Sequence, residues 1–168
     1  MFQSKYCILK LIDLFDAKIK GRKRLQKLSY IMKDKGYPIP QDFIYYHYGP
    51  YSQELSATIA ELVSFGLLNE TQTPQVYEYG LTEEGKEFIN LLEEKNFVEK
   101  IELNEKLKNV IKSVKDQDPS LLELVSTILF LQDYGESFKN ACDKALELKP
   151  HLKSYLENAT EIISNLNE

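Results

Sequence analysis

The stretch Gly21-Arg-Lys-Arg-Leu-Gln-Lys-Leu-Ser-Tyr30 opens a predicted helix that runs to about Lys35. At about 100° per residue, apolar and polar side chains separate onto two sides of this helix. The apolar side consists of Leu25, Leu28, Ser29, Ile31 and Met32, with Arg24 at its border and expected partly buried against a carboxylate. The polar side consists of Lys23, Gln26, Lys27, Tyr30 and Lys33. Because a basic helix in an acidic chain usually has a partner, we expect this polar side to be exposed and to bind an outside molecule.

The charge of the chain is distributed unevenly. The net charge over 168 residues is −5. Residues 1–50 hold ten Lys and Arg against four Asp, whereas residues 51–168 hold eleven Lys against twenty-two Asp and Glu. This split indicates either one basic surface on an acidic body or charges that are satisfied between the two halves.

The composition is that of a globular protein, with 43% hydrophobic and 28% charged residues. The N-terminus lacks the pattern of a signal peptide, and the longest apolar run, Leu121 to Leu131, is too short to span a bilayer. Cys7 and Cys142 lie far apart without CxxC spacing, so we expect reduced core residues. These features predict a cytoplasmic protein without a membrane partner.

The order of predicted elements up to residue 95 is that of a winged helix-turn-helix domain. Hydrophobic periodicity and turn signals place Ser52 and Thr82 as N-caps and Gly49-Pro50 as a turn. The elements are helices over about 3–17, 21–35 and 52–65, a strand over 43–48, hairpin strands over 67–70 and 76–81, and a fourth helix from Thr82. We therefore expect a mainly α fold with a small β-hairpin, the wing, around Thr71-Gln-Thr-Pro-Gln.

Residues 96–168 are predicted to form a helical C-terminal domain. Its helices are expected over about 97–115, 119–134, 137–147 and 150–166, with Asp118-Pro119 as a helix start. The 119–134 helix is apolar nearly all round, and such a helix belongs in a core or in a subunit interface. We expect a homodimer through residues 119–134, or alternatively an intramolecular cover that masks Lys23 and Lys27 with acidic residues.

Three segments together resemble a known family. They are Gly21-x-x-Arg24-Leu25-Gln26-Lys27-Leu28-x-Tyr30, then Tyr46-x-Tyr48-Gly49-Pro50-Tyr51-Ser52, then Leu81-Thr82-x-x-Gly85. They resemble the YwgA-like family of winged-helix proteins, and the likeness extends through Leu121–Leu131, Tyr134-Gly135 and Lys149-Pro150. More distantly, the Leu-Gln-Lys-Leu and Tyr-Gly-Pro pattern is similar to the Panacea antitoxin domain. The resemblance implies a regulator or an antitoxin-type module, and it implies no catalytic residue.

The first function that the residues predict is binding of double-stranded DNA by a transcriptional regulator. In a winged helix, the helix before the hairpin normally enters the major groove while basic groups nearby contact phosphates. Phosphate contacts are expected from Arg22, Lys23, Lys27 and Lys33, and base contacts from Gln53, Ser56 or Ser64. The resemblance implies a toxin–antitoxin or defence locus.

The alternative is a protein-interaction module, an antitoxin or adaptor that binds a partner protein instead of DNA. The third helix contains no Lys or Arg, and its outward face is small and mostly uncharged. That face consists of Gln53, Ala57, Ala60 and Ser64, and the aromatic cluster beside it of Tyr45, Tyr46, Tyr48 and Tyr51. Tyrosine and small residues suit a protein interface, although some of these tyrosines are expected to alternate into the core.

An enzyme is not expected. The histidines, His47 and His151, are about a hundred residues apart in the sequence, which lacks a phosphate loop, a nucleophile elbow and paired cysteine ligands. We therefore predict no catalytic residue, no metal site and no cofactor.

Overall fold

The computed structural model describes residues 2–47 and 49–168. The first part of the chain holds the helices and strands predicted for the winged helix. In chain order they are α1 (Gln3–Leu14), β1 (Lys18–Lys20), α2 (Arg22–Asp34), β2 (Ile44–Tyr46), β3 (Gly49–Tyr51), α3 (Gln53–Ser64), β4 (Leu68–Gln72), β5 (Tyr77–Leu81) and α4 (Glu83–Glu94).

The second part of the chain is helical. It consists of α5 (Glu105–Val114), α6 (Pro119–Asp133), α7 (Phe138–Leu148), a 3-10 helix (Pro150–Tyr155) and α8 (Leu156–Leu166). The fold is mainly α with a small β-hairpin, as the sequence predicts. Among the described residues, every helix is too short or too polar to cross a membrane.

The wing hairpin is extended by a strand that the sequence analysis missed. β4 and β5 pair antiparallel, and β1 pairs with the other edge of β5, so that Ile19 lies opposite Tyr79. α1 ends before β1 because Asp16 and Ala17 have positive φ, 64° and 63°. With three residues, β1 carries almost no local pattern, and its position depends on pairing with a segment about sixty residues away.

The segment between α2 and α3 also differs from the prediction. A single strand followed by a turn at Gly49-Pro50 was expected, whereas Gly49 and Pro50 belong to strand β3, which pairs antiparallel with β2. Pro50 lies opposite Tyr45, and because this sheet has two strands, each of them is an edge where proline is tolerated.

Side-chain caps account for where several helices begin. The predicted caps are confirmed at Ser52, Thr82 and Asp118, each of which accepts a backbone N–H of the first turn. The helix expected over 97–115 begins at Glu105, where Asn104 caps the Leu107 N–H at 2.8 Å. Thr82 also donates to the Gly66 carbonyl at 2.7 Å, and a Cβ on Gly85 would lie 2.3 Å from the Leu67 oxygen, so the Leu-Thr-x-x-Gly segment joins α4 to the wing.

Both parts of the chain contribute to one hydrophobic core, which crosses the predicted boundary at residues 95 and 96. α6 packs against α2, α7 and α8, and residues 121–130 are all buried. The apolar surface of residues 121–130 packs inside the monomer. The homodimer predicted through residues 119–134 stays a prediction, with 119–120 and 131–134 as the residues left for it. Within the monomer, α6 covers α2 and the β2–β3 hairpin, which agrees with the intramolecular alternative.

Replacing Gly49 by alanine tests how closely α6 approaches strand β3. Gly49 has a φ of +97°, and a Cβ there would lie 2.6 Å from Thr127 Oγ1 of α6. Gly36 also has positive φ, +108°, but a Cβ there meets nothing within 4 Å. We expect Gly36→Ala to lose about 1–2 kcal/mol in urea unfolding and Gly49→Ala to lose at least ~1 kcal/mol more. Equal losses would contradict the close contact between β3 and α6.

Candidate functional site

The polar side of α2 is covered by the protein's own C-terminal helices. Gln26, Lys27 and Tyr30 are 5%, 1% and 7% exposed, and Lys23 is half-buried. The sequence assigned these residues to the correct side of α2, but the expectation that this side is exposed is wrong. It lies beneath α6 and the β2–β3 hairpin. The aliphatic parts of its long side chains provide a surface on which the apolar α6 can pack.

Gln26 fastens the start of α3 to the middle of α2. Its Nε2 donates to the Ser52 carbonyl at 2.9 Å, and its Oε1 accepts the Ser52 N–H at 2.9 Å. Nε2 also lies 3.0 Å from Ser56 Oγ. The Gln in Leu-Gln-Lys-Leu and the Ser in Tyr-Gly-Pro-Tyr-Ser are thus direct partners, which gives these two motifs a shared structural role.

Lys27 lies almost fully out of contact with solvent. Its Nζ donates to the Pro50 carbonyl at 2.7 Å. Burial lowers the pKa of Lys27 to about 7, opposed by the nearby Glu123 and assisted by the positive charges of Lys149 and Lys23. The lysine of the first motif and the proline of the second therefore also meet.

Glu123 is a carboxylate buried between the two parts of the chain. It forms ion pairs with Lys23 of α2 and with Lys149, whose Nζ lies 2.7 Å from Glu123 Oε2. Lys149 also donates to the His47 carbonyl at 3.1 Å. Burial by itself would raise the pKa of Glu123, but the hydrogen bonds from Lys149 and Lys23 outweigh it and the pKa is lowered.

Tyr30 is held in an aromatic cluster rather than in solvent. Its ring centroid lies 5.4 Å from that of Phe43 and 5.8 Å from that of Phe130, and its hydroxyl donates to Asp133. Burial, and then a hydrogen bond with Asp133, raises the pKa of Asp34 to about 7. This end of α2 is therefore a second, partly buried polar contact with α6.

The remaining basic residues of α2 have internal contacts of their own. Lys33 is half-buried, donates to the Gln41 carbonyl and lies 3.7 Å from Asp42. Arg24 is half-buried, as expected, although the described contacts include no ion pair between it and a carboxylate. Arg22 is exposed, with its guanidinium carbon 3.5 Å from the Tyr77 ring centroid and its Nε donating to the Tyr79 hydroxyl at 3.4 Å.

The outward face of α3 is as open as predicted. Gln53, Ala57, Ala60 and Ser64 are all exposed, and Phe65 beyond the helix is 64% exposed. Tyr51 is half-buried, and its hydroxyl lies 3.0 Å from Ser56 Oγ. Tyr48 lies outside the described residues.

A cavity of about 510 Å³ opens between α2, the β2–β3 hairpin, α3 and the wing. α2 lines it with Arg22, Lys23, Gln26 and Lys27 among others. The hairpin, α3 and the wing contribute Tyr46, Tyr51, Ser56, Ile59, Ala60, Glu70 and Tyr79. Five of the predicted binding residues (Arg22, Lys23, Gln26, Lys27 and Tyr51) therefore gather at one cavity, while Gln53, Ala57 and Ser64 lie on the outer face of α3.

The described residues contain no group of three or more His, Cys, Asp or Glu side chains placed to hold a metal ion.

Comparison with known proteins identifies the family. Over 165 residues the chain is 32% identical to the "Uncharacterized protein YwgA" of Bacillus subtilis (strain 168), covering 95% of this chain and 93% of that protein. The chain belongs to the YwgA-like family. No protein-family model matches the chain. The more distant likeness to the Panacea antitoxin domain stays a prediction.

Sequence reasoning on this YwgA-like chain missed the residues that the C-terminal helices bring to the site. Glu123 and Asp133 of α6 contact the polar side of α2 across about a hundred residues of sequence, and Lys149 pairs with Glu123 from the other side. One local signal existed: Glu123 is a charged residue inside a helix that is otherwise apolar nearly all round. A buried carboxylate requires a cationic partner, so Glu123 pointed to a buried lysine.

The lowered pKa of Lys27 predicts a specific pH dependence of stability. The unfolded chain holds a proton on Lys27 up to about pH 10.4, whereas the folded chain releases it near pH 7. Between these values the unfolded state binds more protons, so the free energy of unfolding rises with pH. Wild type should gain roughly 2 kcal/mol relative to Lys27→Met between about pH 7 and pH 9, measured by urea unfolding.

Lys20→Met is the matched control, because Lys20 is exposed on β1. Its stability should follow wild type across the same pH range. If Lys27→Met and Lys20→Met showed the same pH dependence, Lys27 would not be buried as described.

Proposed function

We propose that this protein is a non-enzymatic interaction module of the cytoplasm, which binds a partner protein through the outer face of α3 and the wing. This surface is formed by the exposed residues between Gln53 and Leu81, and we refer to it as the α3–wing face. The proposal rests on the charge and the shape of this face.

The α3–wing face contains no basic side chain that could contact a nucleic-acid phosphate. Residues 53–81 contain no Lys or Arg, and they carry Glu54, Glu61, Glu70 and Glu78. Glu61 and Glu78 pair with Lys5 and Lys18 at 3.1 and 3.2 Å. Because binding of DNA depends largely on neutralising phosphates, a recognition helix and wing without cations favour a different partner.

The shape of the face suits a protein. Ala57 and Ala60 keep the exposed side of α3 low, which permits close approach of a partner helix, and Phe65 stands out at its end. An exposed aromatic side chain beside small residues can supply both an anchor and a complementary hollow.

DNA binding is the second candidate function. It is favoured by the winged-helix order of the elements and by Lys18, Lys20 and Arg22, which are exposed beside the wing. Lys23, Lys27 and Lys33 would contribute less than the sequence suggested, because they contact other parts of the chain.

The substitution Ala57→Arg separates the two functions because its effects have opposite signs. A bulky cation on the α3–wing face should weaken a protein complex at least about tenfold. The same cation should strengthen binding to duplex DNA and make its salt dependence steeper by about one phosphate contact. Partners would first be purified from the native host with and without nuclease, and the purified partner and a duplex would then be titrated separately.

Asn140→Arg serves as the control, since it adds the same charge at an exposed position of α7. We expect a nuclease-resistant partner whose affinity falls in Ala57→Arg and not in Asn140→Arg. The proposal fails if partners disappear after nuclease treatment and Ala57→Arg alone tightens duplex binding.

A further inference from the structure

The cavity between α2, the hairpin, α3 and the wing shares Ala60 and Glu70 with the α3–wing face but extends inward from it. Its volume, about 510 Å³, lies within the range typical of small-molecule sites. It reaches inward to Lys27, a side chain that is 1% exposed, whereas a protein partner would contact the exposed residues outside. A protein partner on the α3–wing face would therefore leave the inner part of the cavity, beside Lys27, unfilled.

The walls of the cavity are largely apolar and aromatic. The ring centroids of Tyr46 and Tyr51 lie 5.4 Å apart with a tilt of 34°, and Ile59 of α3 also lines the cavity. Tyr79 lines the wing side. Such walls accommodate a flat apolar body by stacking and by burial of apolar area.

The charge of the cavity is predominantly positive. Arg22, Lys23 and Lys27 line it, against the single carboxylate of Glu70 among the described lining residues. Glu123 lies behind Lys23 and Lys27, but it is shared with Lys149 on its other side. Three ammonium groups, those of Lys23, Lys27 and Lys149, thus surround one buried carboxylate.

Lys27 has capacity for a further acceptor. A lysine ammonium group carries three N–H donors, and the described contacts give Lys27 the Pro50 carbonyl as its acceptor. Keeping a buried ammonium group charged is costly unless an anion compensates it.

We propose that this cavity binds a small organic anion with a flat apolar body, of the class of aromatic carboxylates. The carboxylate contacts Lys27 and Lys23 at the inner end, and the apolar body lies against Tyr46, Tyr51 and Ile59. This proposal rests on the cavity and not on the partner proposed for the α3–wing face.

The lowered pKa of Lys27 agrees with such a site. Burial lowers this pKa to about 7, with Glu123 acting in the opposite direction and Lys149 and Lys23 in the same direction. An anion that binds beside Lys27 favours the charged form, so binding and protonation should be linked.

The test uses the full chain and two acids with their neutral amides. The probes are benzoate and 3-phenylpropionate, compared with benzamide, 3-phenylpropionamide and acetate, in calorimetric titrations and ¹H–¹⁵N NMR spectra. At least one aromatic acid should bind saturably and shift the backbone signals of Gln26, Lys27 and Tyr51. Its amide and acetate should bind at least tenfold more weakly, since each lacks either the charge or the body.

The variants locate the binding. Lys27→Met should weaken binding of the acid at least tenfold, whereas Lys20→Met, outside the cavity, should leave it unchanged. Should Lys27→Met fail to fold, Ala60→Phe provides the second variant, because Ala60 is exposed on α3 and lines the cavity, and the larger ring fills it. This variant should also lose binding.

The pH profile distinguishes a contact with Lys27 from nonspecific binding. If charged Lys27 holds the anion, binding to wild type should weaken about tenfold between pH 6 and pH 8, because the folded pKa lies near 7. Lys27→Met should lack this dependence. The proposal is overturned if neither acid binds saturably, if acid and amide bind equally, or if both cavity variants retain full affinity.

Discussion

The structure depends on the burial of one carboxylate, Glu123, between the two parts of the chain. Burying a charge is costly unless it is paired, and Glu123 is paired with Lys23 of α2 and with Lys149. The apolar residues of α6 would pack against many surfaces, whereas this ion pair fits a single placement of α6 over α2. The ion pairs of Glu123 fix the orientation of α6 over α2. They also place positive charges around Lys27 at the inner end of the cavity.

The segments Leu-Gln-Lys-Leu and Tyr-Gly-Pro-Tyr-Ser, which carry the resemblance to the YwgA-like family, contact each other directly. Gln26 binds the backbone of Ser52, Lys27 binds the carbonyl of Pro50, and Gly49 leaves room for Thr127. These residues hold α2, the hairpin and α3 in one arrangement. They therefore shape the inner cavity, and they leave the α3–wing face outside it as the cation-poor surface that we propose for a protein partner.

The sequence predicted those features that local chemistry determines. The N-caps at Ser52, Thr82 and Asp118, the two sides of α2 and the open face of α3 were all predictable from periodicity and residue type. β1 was not, because three residues carry too little pattern and their pairing with β5 is long-range. The exposure of Gln26, Lys27 and Tyr30 was predicted wrongly for a related reason: a polar side of a helix indicates water or a polar partner, and the partner here comes from α6 and the hairpin.

The most direct test of this account is a double-mutant cycle between α2 and α6. The free energy of unfolding would be measured by urea for Lys23→Met, Glu123→Gln and the double variant, beside a control cycle on the exposed pair Glu105 and Lys108. We predict a coupling of about 1–3 kcal/mol between Lys23 and Glu123, against at most ~0.5 kcal/mol for the control pair. Additive effects of Lys23→Met and Glu123→Gln, indistinguishable from the control, would contradict the claim that this ion pair fixes the position of α6 over α2.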